Sequence, residues 1–236
     1  MIAHASRAVF QALASSRGLK YLASRYGMRR PDSFARRFIA GETIAEALLT
    51  AARIEAAGFS QTLDMLGESV ATMAEADAAT REYLSLLDRI VAAGIGRNIS
   101  LKLTQLGLGV DRATCIDNLR RILDAAAPRE FFVRIDMEGS AVTQVTLDIF
   151  ETIWQQGYRN AGIVLQSYLP RTAADAARMI DLGARVRLVK GAYNEPKGVA
   201  YQDRADVDAA FVAIMQDLLA RGNYPAIATH DPAMIA

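Results

Sequence analysis

The sequence predicts an α/β fold of the (β/α)8 TIM-barrel type, preceded by N-terminal helices. Short apolar runs rich in β-branched residues alternate with longer segments in which apolar residues recur every three or four positions. That alternation is typical of parallel strands connected by helices. At 236 residues the chain has a length at which α/β barrels form a single domain.

The predicted elements follow one another without a repeat or a low-complexity stretch. Six strands are predicted from the apolar runs, at residues 62–65, 98–103, 131–136, 161–165, 186–190 and 226–229. Each periodic segment starts near a capping residue or ends near Gly or Pro, which favours helices. The predicted helices are residues 44–57, with Thr43 as the cap, and then 73–93, 114–126, 146–156, 172–182 and 206–220. A complete barrel has eight strands, so we expect this chain to lack the last two βα units.

The N-terminal part differs in composition from the rest. Residues 1–57 are predicted to form a helical segment, and residues 58–236 the barrel. Residues 1–40 contain many arginines but a single acid, Asp32. A solvated helical face explains this basic segment. Binding to a membrane surface is the alternative, because such segments bind anionic lipid when their apolar face is free.

Composition excludes several classes of protein. Lys+Arg 27 against Asp+Glu 26 gives a net charge of +1, so no overall field indicates a nucleic acid or an acidic partner. The single cysteine, Cys115, cannot form an internal disulfide and is interpreted as a packing residue on a helix. No apolar run is long enough to span a bilayer. We expect a soluble cytoplasmic protein, or one bound peripherally at the inner face of the membrane.

The fifth predicted strand carries an unusual charge. The segment Val186-Arg187-Leu188-Val189-Lys190-Gly191-Ala192-Tyr193 combines a strand, two cations, a glycine and an aromatic residue. An arginine inside a buried parallel strand costs desolvation free energy unless an anion or a strong acceptor meets it. A structural ion pair and a ligand site both satisfy that requirement, and the segment alone does not decide between them.

Polar residues also follow the other strands. They are Lys102, Asp136, Gln166, Lys190, Thr229 and His230. The carboxyl ends of barrel strands converge on one mouth, which is where such barrels place their chemistry. Polar residues of both charge signs at these ends therefore predict a site there. For His230 alone, a core histidine with satisfied hydrogen bonds is the simpler interpretation.

Five segments in this order resemble the proline dehydrogenase family of flavoenzymes, over about residues 30–236. They are Ser100-Leu101-Lys102-Leu103-Thr104-Gln105-Leu106-Gly107, Val133-Arg134-Ile135-Asp136-Met137-Glu138, Val164-Leu165-Gln166-Ser167-Tyr168-Leu169, Val186 to Tyr193, and Ala228-Thr229-His230-Asp231. The resemblance implies oxidation of L-proline to 1-pyrroline-5-carboxylate, the first step of proline catabolism. It also implies FAD as the hydride acceptor and a quinone, at the membrane surface in some cases, as the next acceptor.

The resemblance also implies roles for individual residues. Lys102, Asp136 and Arg187 would be catalytic, with Lys102 and Asp136 on the substrate side and Arg187 facing the reactive nitrogen of the flavin. The cofactor would be bound by Gln166, Arg187, Val189, Lys190, Gly191, Ala192, Tyr193, Thr229 and His230. No metal is implied. Asn194 stands where family members commonly carry an aromatic residue, which puts stacking at the adenine end of the cofactor in doubt.

One part of the family pattern has no match in this sequence. In the family, a final helix carries a tyrosine, paired arginines and a glutamate that hold the carboxylate of the substrate. Their absence predicts that this chain binds FAD weakly and oxidises little proline. Two other functions remain open: a Schiff-base lyase or aldolase that uses Lys102 or Lys190 as the nucleophile, and a truncated, non-catalytic barrel.

Overall fold

A computed structural model of the protein describes residues 39–235. The chain divides into two units between Ser60 and Gln61. The described part of the first unit contains helix α1, Ile44–Ala56, whose N-cap Thr43 accepts a hydrogen bond from the backbone N–H of Glu46. Most of the basic segment predicted for residues 1–40 lies outside the described residues, and the boundary after residue 57 stays a prediction.

The second unit alternates strands and helices along the chain. Its strands are β1 Leu63–Asp64, β2 Asn98–Leu101, β3 Phe132–Ile135, β4 Ala161–Gln166, β5 Arg185–Val189 and β6 Ala226–Ile227. Its α-helices are α2 Met73–Ala93, α3 Arg112–Ala126, α4 Ser140–Gln155, α5 Thr172–Asp181, α6 Arg204–Arg221 and α7 Pro232–Ile235, and a short 3-10 helix, Ala127–Arg129, follows α3.

The six described strands form one parallel sheet in the order β1-β2-β3-β4-β5-β6. Each strand therefore pairs with the next one in the chain, as in a barrel wound in one direction, and the sheet curls into a half-barrel. This confirms the predicted α/β fold of the TIM-barrel type. All six predicted strands are present, and each lies within a few residues of its predicted bounds.

The pairing register places the polar strand residues on one face. Ser100 is paired with Arg134 across β2 and β3, and Val164 with Arg187 across β4 and β5. Since side chains alternate between faces along a strand, Lys102 and Asp136 continue the same face two residues further on. The residues between them are apolar and almost fully buried: Ile99, Leu101, Val133, Ile135, Ile163, Leu165, Val186 and Leu188.

Local sequence signals account for most helix ends. Helix α2 begins after a capping box formed by Thr72 and Glu75 and ends at Gly94, which adopts a left-handed conformation with φ 66°. Its predicted bounds are confirmed. Helix α3 begins after Asp111, whose side chain accepts from the backbone N–H of Thr114.

Helix α4 begins at Ser140, six residues before its predicted start. Its N-cap, Gly139, supplies no side-chain hydrogen bond. Instead, the carboxylate of Glu195 accepts hydrogen bonds from the Ser140 backbone N–H, at 2.7 Å, and from the Ser140 hydroxyl. The prediction was wrong at this end because the capping group comes from a distant loop, not from the preceding residues.

Cys115 is fully buried on α3, and burial raises the pKa of its thiol to about 12. Its interpretation as a packing residue is confirmed. No helix among residues 39–235 is both long and apolar enough to cross a membrane.

Candidate active site

Four charged side chains form a continuous network, three of them at the carboxyl ends of β1, β2 and β3 and the fourth inside β5. Lys102 Nζ lies 3.0 Å from Asp64 Oδ2 and 3.3 Å from Asp136 Oδ2. The second oxygen of Asp136 accepts from a terminal nitrogen of Arg187 at 2.5 Å. The order Asp64, Lys102, Asp136, Arg187 therefore alternates in charge and is neutral as a whole. These contacts bring together the three predicted catalytic residues, Lys102, Asp136 and Arg187, and add Asp64.

Partial burial shapes the electrostatics of this network. The four side chains are between 14% and 28% exposed. Burial raises the pKa of Asp64, and Lys102 partly offsets that rise. Desolvation lowers the pKa of Lys102, but hydrogen bonds and attraction from Asp64 and Asp136 outweigh it, so the net pKa is raised. Lys102 is consequently a protonated ammonium group at neutral pH.

The contacts of Arg187 fit both interpretations of the charge inside β5, a structural ion pair and a ligand site. It forms an ion pair with Asp136, as a structural arginine would. Its Nε is nevertheless buried and has no hydrogen-bond partner among the residues that the structure describes. A buried donor without an acceptor is costly, so this nitrogen is available to a ligand that carries an acceptor.

Gln166 is the last residue of β4. Its side chain is buried, and its Nε2 donates to the backbone carbonyl of Glu138 at 2.9 Å. That hydrogen bond fixes the plane of the amide. Gln166 and Val189 are paired in the register of β4 and β5, so they present neighbouring positions on the same face.

A second cluster of charges surrounds Lys190. Its Nζ lies 2.6 Å from Asp208 Oδ1 and 2.9 Å from Asp231 Oδ2, and Arg204 also donates to Asp231 at 2.8 Å. Hydrogen bonds from Lys190 and Arg204 hold the pKa of the Asp231 carboxyl far below its usual range. The positive charge of Lys190 is thus already balanced by two carboxylates.

Gly191 is required by its own surroundings. Its φ is +122°, which side-chain-bearing residues rarely adopt, and a Cβ built there would lie 2.4 Å from Cδ1 of the Tyr168 ring. The Tyr168 backbone N–H donates to the Lys190 carbonyl at 2.9 Å, so the two segments run side by side. A close approach of the cofactor to Gly191 stays a prediction.

The loop after Gly191 reaches across to two other strand ends. The Tyr193 hydroxyl donates to Glu68 Oε1, in the loop after β1, at 3.0 Å. Burial and the neighbouring Glu68 raise the pKa of Tyr193, so it remains a neutral phenol. Glu195 in the same loop caps helix α4 through Ser140. Ala192, just before Tyr193, is exposed.

The segment after β6 is more open. The Thr229 hydroxyl accepts from the Asp231 backbone N–H at 3.1 Å, which shapes the turn that leads to α7. His230 is exposed, so its interpretation as a core histidine is wrong. The described residues contain no cluster of His, Cys, Asp or Glu side chains that could hold a metal ion.

Sequence reasoning missed several residues of this region, namely Asp64, Glu68, Glu138, Glu195 and Asp208. Asp64 ends a strand of only two residues, too short for alternation to reveal which way it faces. Glu138 stands in one of the five segments quoted above, two residues after Asp136, but no partner for it was visible. The others lie in loops or on a helix surface, where a carboxylate carries no signal of its own.

Comparison with known proteins identifies the family of this chain. The family model described as "Proline dehydrogenase" matches residues 47–236. "Proline dehydrogenase 1" of Bacillus subtilis (strain 168) is 38% identical over 230 residues, covering 98% of this chain and 75% of that protein. "Proline dehydrogenase" of Deinococcus radiodurans is 38% identical over 207 residues, covering 86% of this chain and 67% of the relative.

Solved structures share the fold. The crystal structure of proline utilization A (PutA) from Bdellovibrio bacteriovorus inactivated by N-propargylglycine matches with a TM-score of 0.78 and 25% identity over 85% of this chain. A mutant PutA of Bradyrhizobium japonicum matches with a TM-score of 0.69 over 83% of this chain. The chain spans about a quarter of these two PutA chains, 26% and 24% respectively. From the family match and the identity to relatives over most of its length, we conclude that this chain belongs to the proline dehydrogenase family.

Proposed function

We propose that this protein oxidises L-proline to 1-pyrroline-5-carboxylate, with FAD as the hydride acceptor. The observation that carries the proposal is the network of Asp64, Lys102, Asp136 and Arg187 at the strand ends of a proline dehydrogenase family member. The reaction removes a hydride from the ring carbon that lies next to nitrogen and does not bear the carboxylate, and a proton from nitrogen. Both requirements concern placement of a small zwitterion, which a rigid charged network can provide.

On the substrate side, we assign Lys102 and Asp136. A zwitterionic imino acid needs a cation near its carboxylate and an acceptor near its nitrogen, and these two side chains lie 3.3 Å apart. Because each also binds a second charged partner, their orientation is set before substrate arrives. Such preorganisation removes part of the cost of ordering the site during reaction.

On the cofactor side, the chemistry of the donors fits a flavin. The buried Arg187 Nε offers a hydrogen bond to an acceptor, and the Gln166 amide has both a donor and an acceptor for the polar edge of a heterocycle. We propose that the residues that hold FAD are Gln166, Arg187, Val189, Lys190, Gly191, Ala192, Tyr193, Thr229 and His230. FAD when bound would supply the two-electron acceptor, and Arg187 would stabilise the negative charge that develops beside it.

Within this set, we propose that Lys190 supports FAD indirectly and does not serve as a free counter-charge for a phosphate. Its ammonium group is already paired with Asp208 and Asp231. Those contacts tie the end of β5 to α6 and to the segment after β6. Lys190 would therefore hold the backbone of the cofactor segment in place, and a phosphate could reach it only by sharing it with two carboxylates.

The lyase or aldolase alternative is weakened by the same contacts. A Schiff-base nucleophile must be a neutral amine, and enzymes obtain one by lowering the pKa of a lysine. The pKa values of Lys102 and Lys190 are both raised by their carboxylate partners. Both amines are consequently protonated at neutral pH and are poor nucleophiles.

We further propose that electrons pass on to a quinone. The protein would act in the cytoplasm or at the inner face of the membrane, and residues 58–236 would form its barrel domain. These assignments are supported by family resemblance and not by a contact of the described residues. Reoxidation of the reduced protein by a short-chain quinone, compared with reoxidation by dioxygen, tests the acceptor. Faster reoxidation by dioxygen than by quinone would count against it.

Substitution of Arg187 by methionine tests the cofactor assignment. The loss of one charge-assisted donor from such a site typically costs about 2.7–4 kcal/mol of transition-state stabilisation, or roughly 100- to 1,000-fold in rate. We expect Arg187→Met to slow flavin reduction by L-proline to that extent and to weaken FAD retention. The matched control is Arg185→Met, two residues earlier on β5, where the exposed guanidinium stacks on the Tyr224 ring at 5.2 Å. Equal reduction rates in the two variants would remove Arg187 from the site.

A further inference from the structure

Glu138 is a buried carboxylate that the proposed chemistry does not use. It is 3% exposed and follows β3, two residues after Asp136. One of its oxygens accepts from the Thr104 backbone N–H at 3.1 Å, and the other accepts from the Thr104 hydroxyl. Thr104 lies just past β2 and is 8% exposed. Two hydrogen bonds thus join the ends of β2 and β3 below the surface.

Thr104 in turn holds the loop after β1. Its hydroxyl oxygen accepts from the Ser69 backbone N–H at 3.0 Å, and its carbonyl accepts from the Val70 N–H at 3.3 Å. Ser69 has a φ of 55°, in the left-handed region that non-glycine residues seldom adopt. A backbone in that conformation persists only where neighbouring contacts enforce it. The two hydrogen bonds to Thr104 are such contacts.

The same loop reaches the predicted cofactor segment. Glu68, the neighbour of Ser69, accepts from the Tyr193 hydroxyl at 3.0 Å. The backbone carbonyl of Glu138 meanwhile accepts from Gln166 Nε2 at 2.9 Å. Glu138 therefore contacts two parts of the site at once, through its carboxylate with Thr104 after β2 and through its carbonyl with Gln166 at the end of β4.

We propose that Glu138 is a positioning residue, which acts through Thr104 to hold the loop of residues 67–70, and with it Glu68, in register with the Gln166 amide. This inference deepens the proposed function and rests on it for the meaning of the site. The geometry itself rests on the hydrogen bonds alone.

The chemistry of the contact requires a carboxylate. Thr104 presents two donors to Glu138, and an ionised carboxylate offers an acceptor to each. A glutamine offers one acceptor and one NH2 group. If the NH2 group faced the Thr104 hydroxyl, the hydroxyl hydrogen would have to turn away from residue 138. That hydrogen would then compete for space with the Ser69 N–H, which donates to the same oxygen. In either orientation of the glutamine amide one of the two hydrogen bonds to Thr104 is lost, so Glu138→Gln should loosen Thr104, and with it Ser69, without changing the shape of the side chain.

Thr104 supplies a matched pair of variants. Thr104→Ser keeps the hydroxyl, whereas Thr104→Val keeps the shape and removes the hydroxyl. The first readout is backbone amide exchange of Ser69 and Val70, which needs no activity. We expect Ser69 exchange to rise about ten- to a hundred-fold in Thr104→Val and in Glu138→Gln, and to stay near the wild-type rate in Thr104→Ser. Val70 should change less in each variant, because its acceptor is the backbone carbonyl.

The second readout is steady-state kinetics with L-proline as the substrate. We expect KM to rise about ten-fold in Thr104→Val and to stay near the wild-type value in Thr104→Ser, because loss of the Thr104–Glu138 contact loosens the ends of β2 and β3 that carry Lys102 and Asp136. Unchanged Ser69 exchange in Thr104→Val would overturn the proposal, and so would faster exchange with unchanged KM. If Glu138→Gln does not fold, the Thr104 pair still decides. The two proposals can also fail separately. If the variants show the expected exchange but the wild-type protein does not oxidise proline, the proposed function is refuted and the positioning contact stands.

Discussion

Replacement of Lys102 by methionine perturbs the ion network at its centre. Lys102 Nζ lies 3.0 Å from Asp64 and 3.3 Å from Asp136, and the three side chains are 14%, 28% and 14% exposed. At an effective dielectric constant of about 20, each contact corresponds to roughly 5 kcal/mol of Coulomb attraction. Desolvation of the charges offsets much of this attraction. Methionine fills similar space but leaves two carboxylates without their shared cation, so we expect unfolding free energy to fall by about 3 kcal/mol at about pH 8.

The size of this loss should depend on pH. Burial already raises the pKa of Asp64 above its ordinary value of 3.8, and removal of Lys102 raises it further. Between the ordinary and the raised pKa, the folded state binds more protons than the unfolded state. Stability therefore falls as the pH rises through that window. The loss caused by Lys102→Met should therefore be smaller at about pH 5 than at about pH 8, because the raised pKa lets Asp64 take up a proton as the pH falls.

Urea unfolding at the two pH values measures both effects. Lys102→Met combined with Asp64→Asn should recover most of the lost stability, because it removes the carboxylate that has lost its partner. The control is Lys197→Met, at an exposed lysine, which should change stability by less than about 0.5 kcal/mol. A Lys102→Met loss that is equal at the two pH values, or that Asp64→Asn does not reduce, would refute the electrostatic account.

Three further predictions concern single residues. Gly191→Ala should destabilise the protein by about 2 kcal/mol or more in urea unfolding, since its Cβ would meet the Tyr168 ring and its φ is positive. The control Gly198→Ala, in open space, should be nearly neutral, and equal effects of the two substitutions would contradict the packing argument. Cys115 should resist thiol reagents at about pH 8 until the protein unfolds, because its pKa is about 12; rapid labelling of folded protein would disprove its burial. The pKa of Asp231 lies below 3.8, so its contribution to stability is present above that value and is lost as the pH falls. Below about pH 4, the stability of Asp231→Asn should therefore fall less steeply with decreasing pH than that of wild type, and identical acid-unfolding curves would rule this contribution out.

Much of the fold could be predicted because its signals are local. Helix α2 was predicted with correct bounds from its apolar periodicity and from Gly94, and the structure adds a Thr72 cap at its start. Helix α4 was not, because its cap is Glu195, 55 residues away along the chain. Local periodicity locates an element, but a cap supplied by another loop leaves no mark on the sequence next to the helix.

The site divides in the same way. Lys102 and Asp136 could be placed near each other in advance, because the carboxyl ends of parallel strands converge, whereas Arg187 was assigned to the site through the family resemblance. The partners that complete the site could not. Glu68 and Tyr193 are 125 residues apart, and nothing in either loop indicates the other. Glu138 meets Thr104 only because β2 and β3 are paired in one particular register.

Single-turnover reduction of bound flavin by L-proline tests the central claim most directly, because it detects even a slow reaction and needs no quinone. The protein is loaded with FAD, mixed with L-proline without oxygen, and followed by the loss of flavin absorption. The account predicts that L-proline bleaches the wild-type flavin, and that Arg187→Met at equal flavin occupancy bleaches about 100-fold more slowly or worse. An FAD-loaded wild type that L-proline does not reduce, together with a borohydride-trapped adduct of a carbonyl substrate at Lys102 or Lys190, would contradict it and favour Schiff-base chemistry on the same barrel.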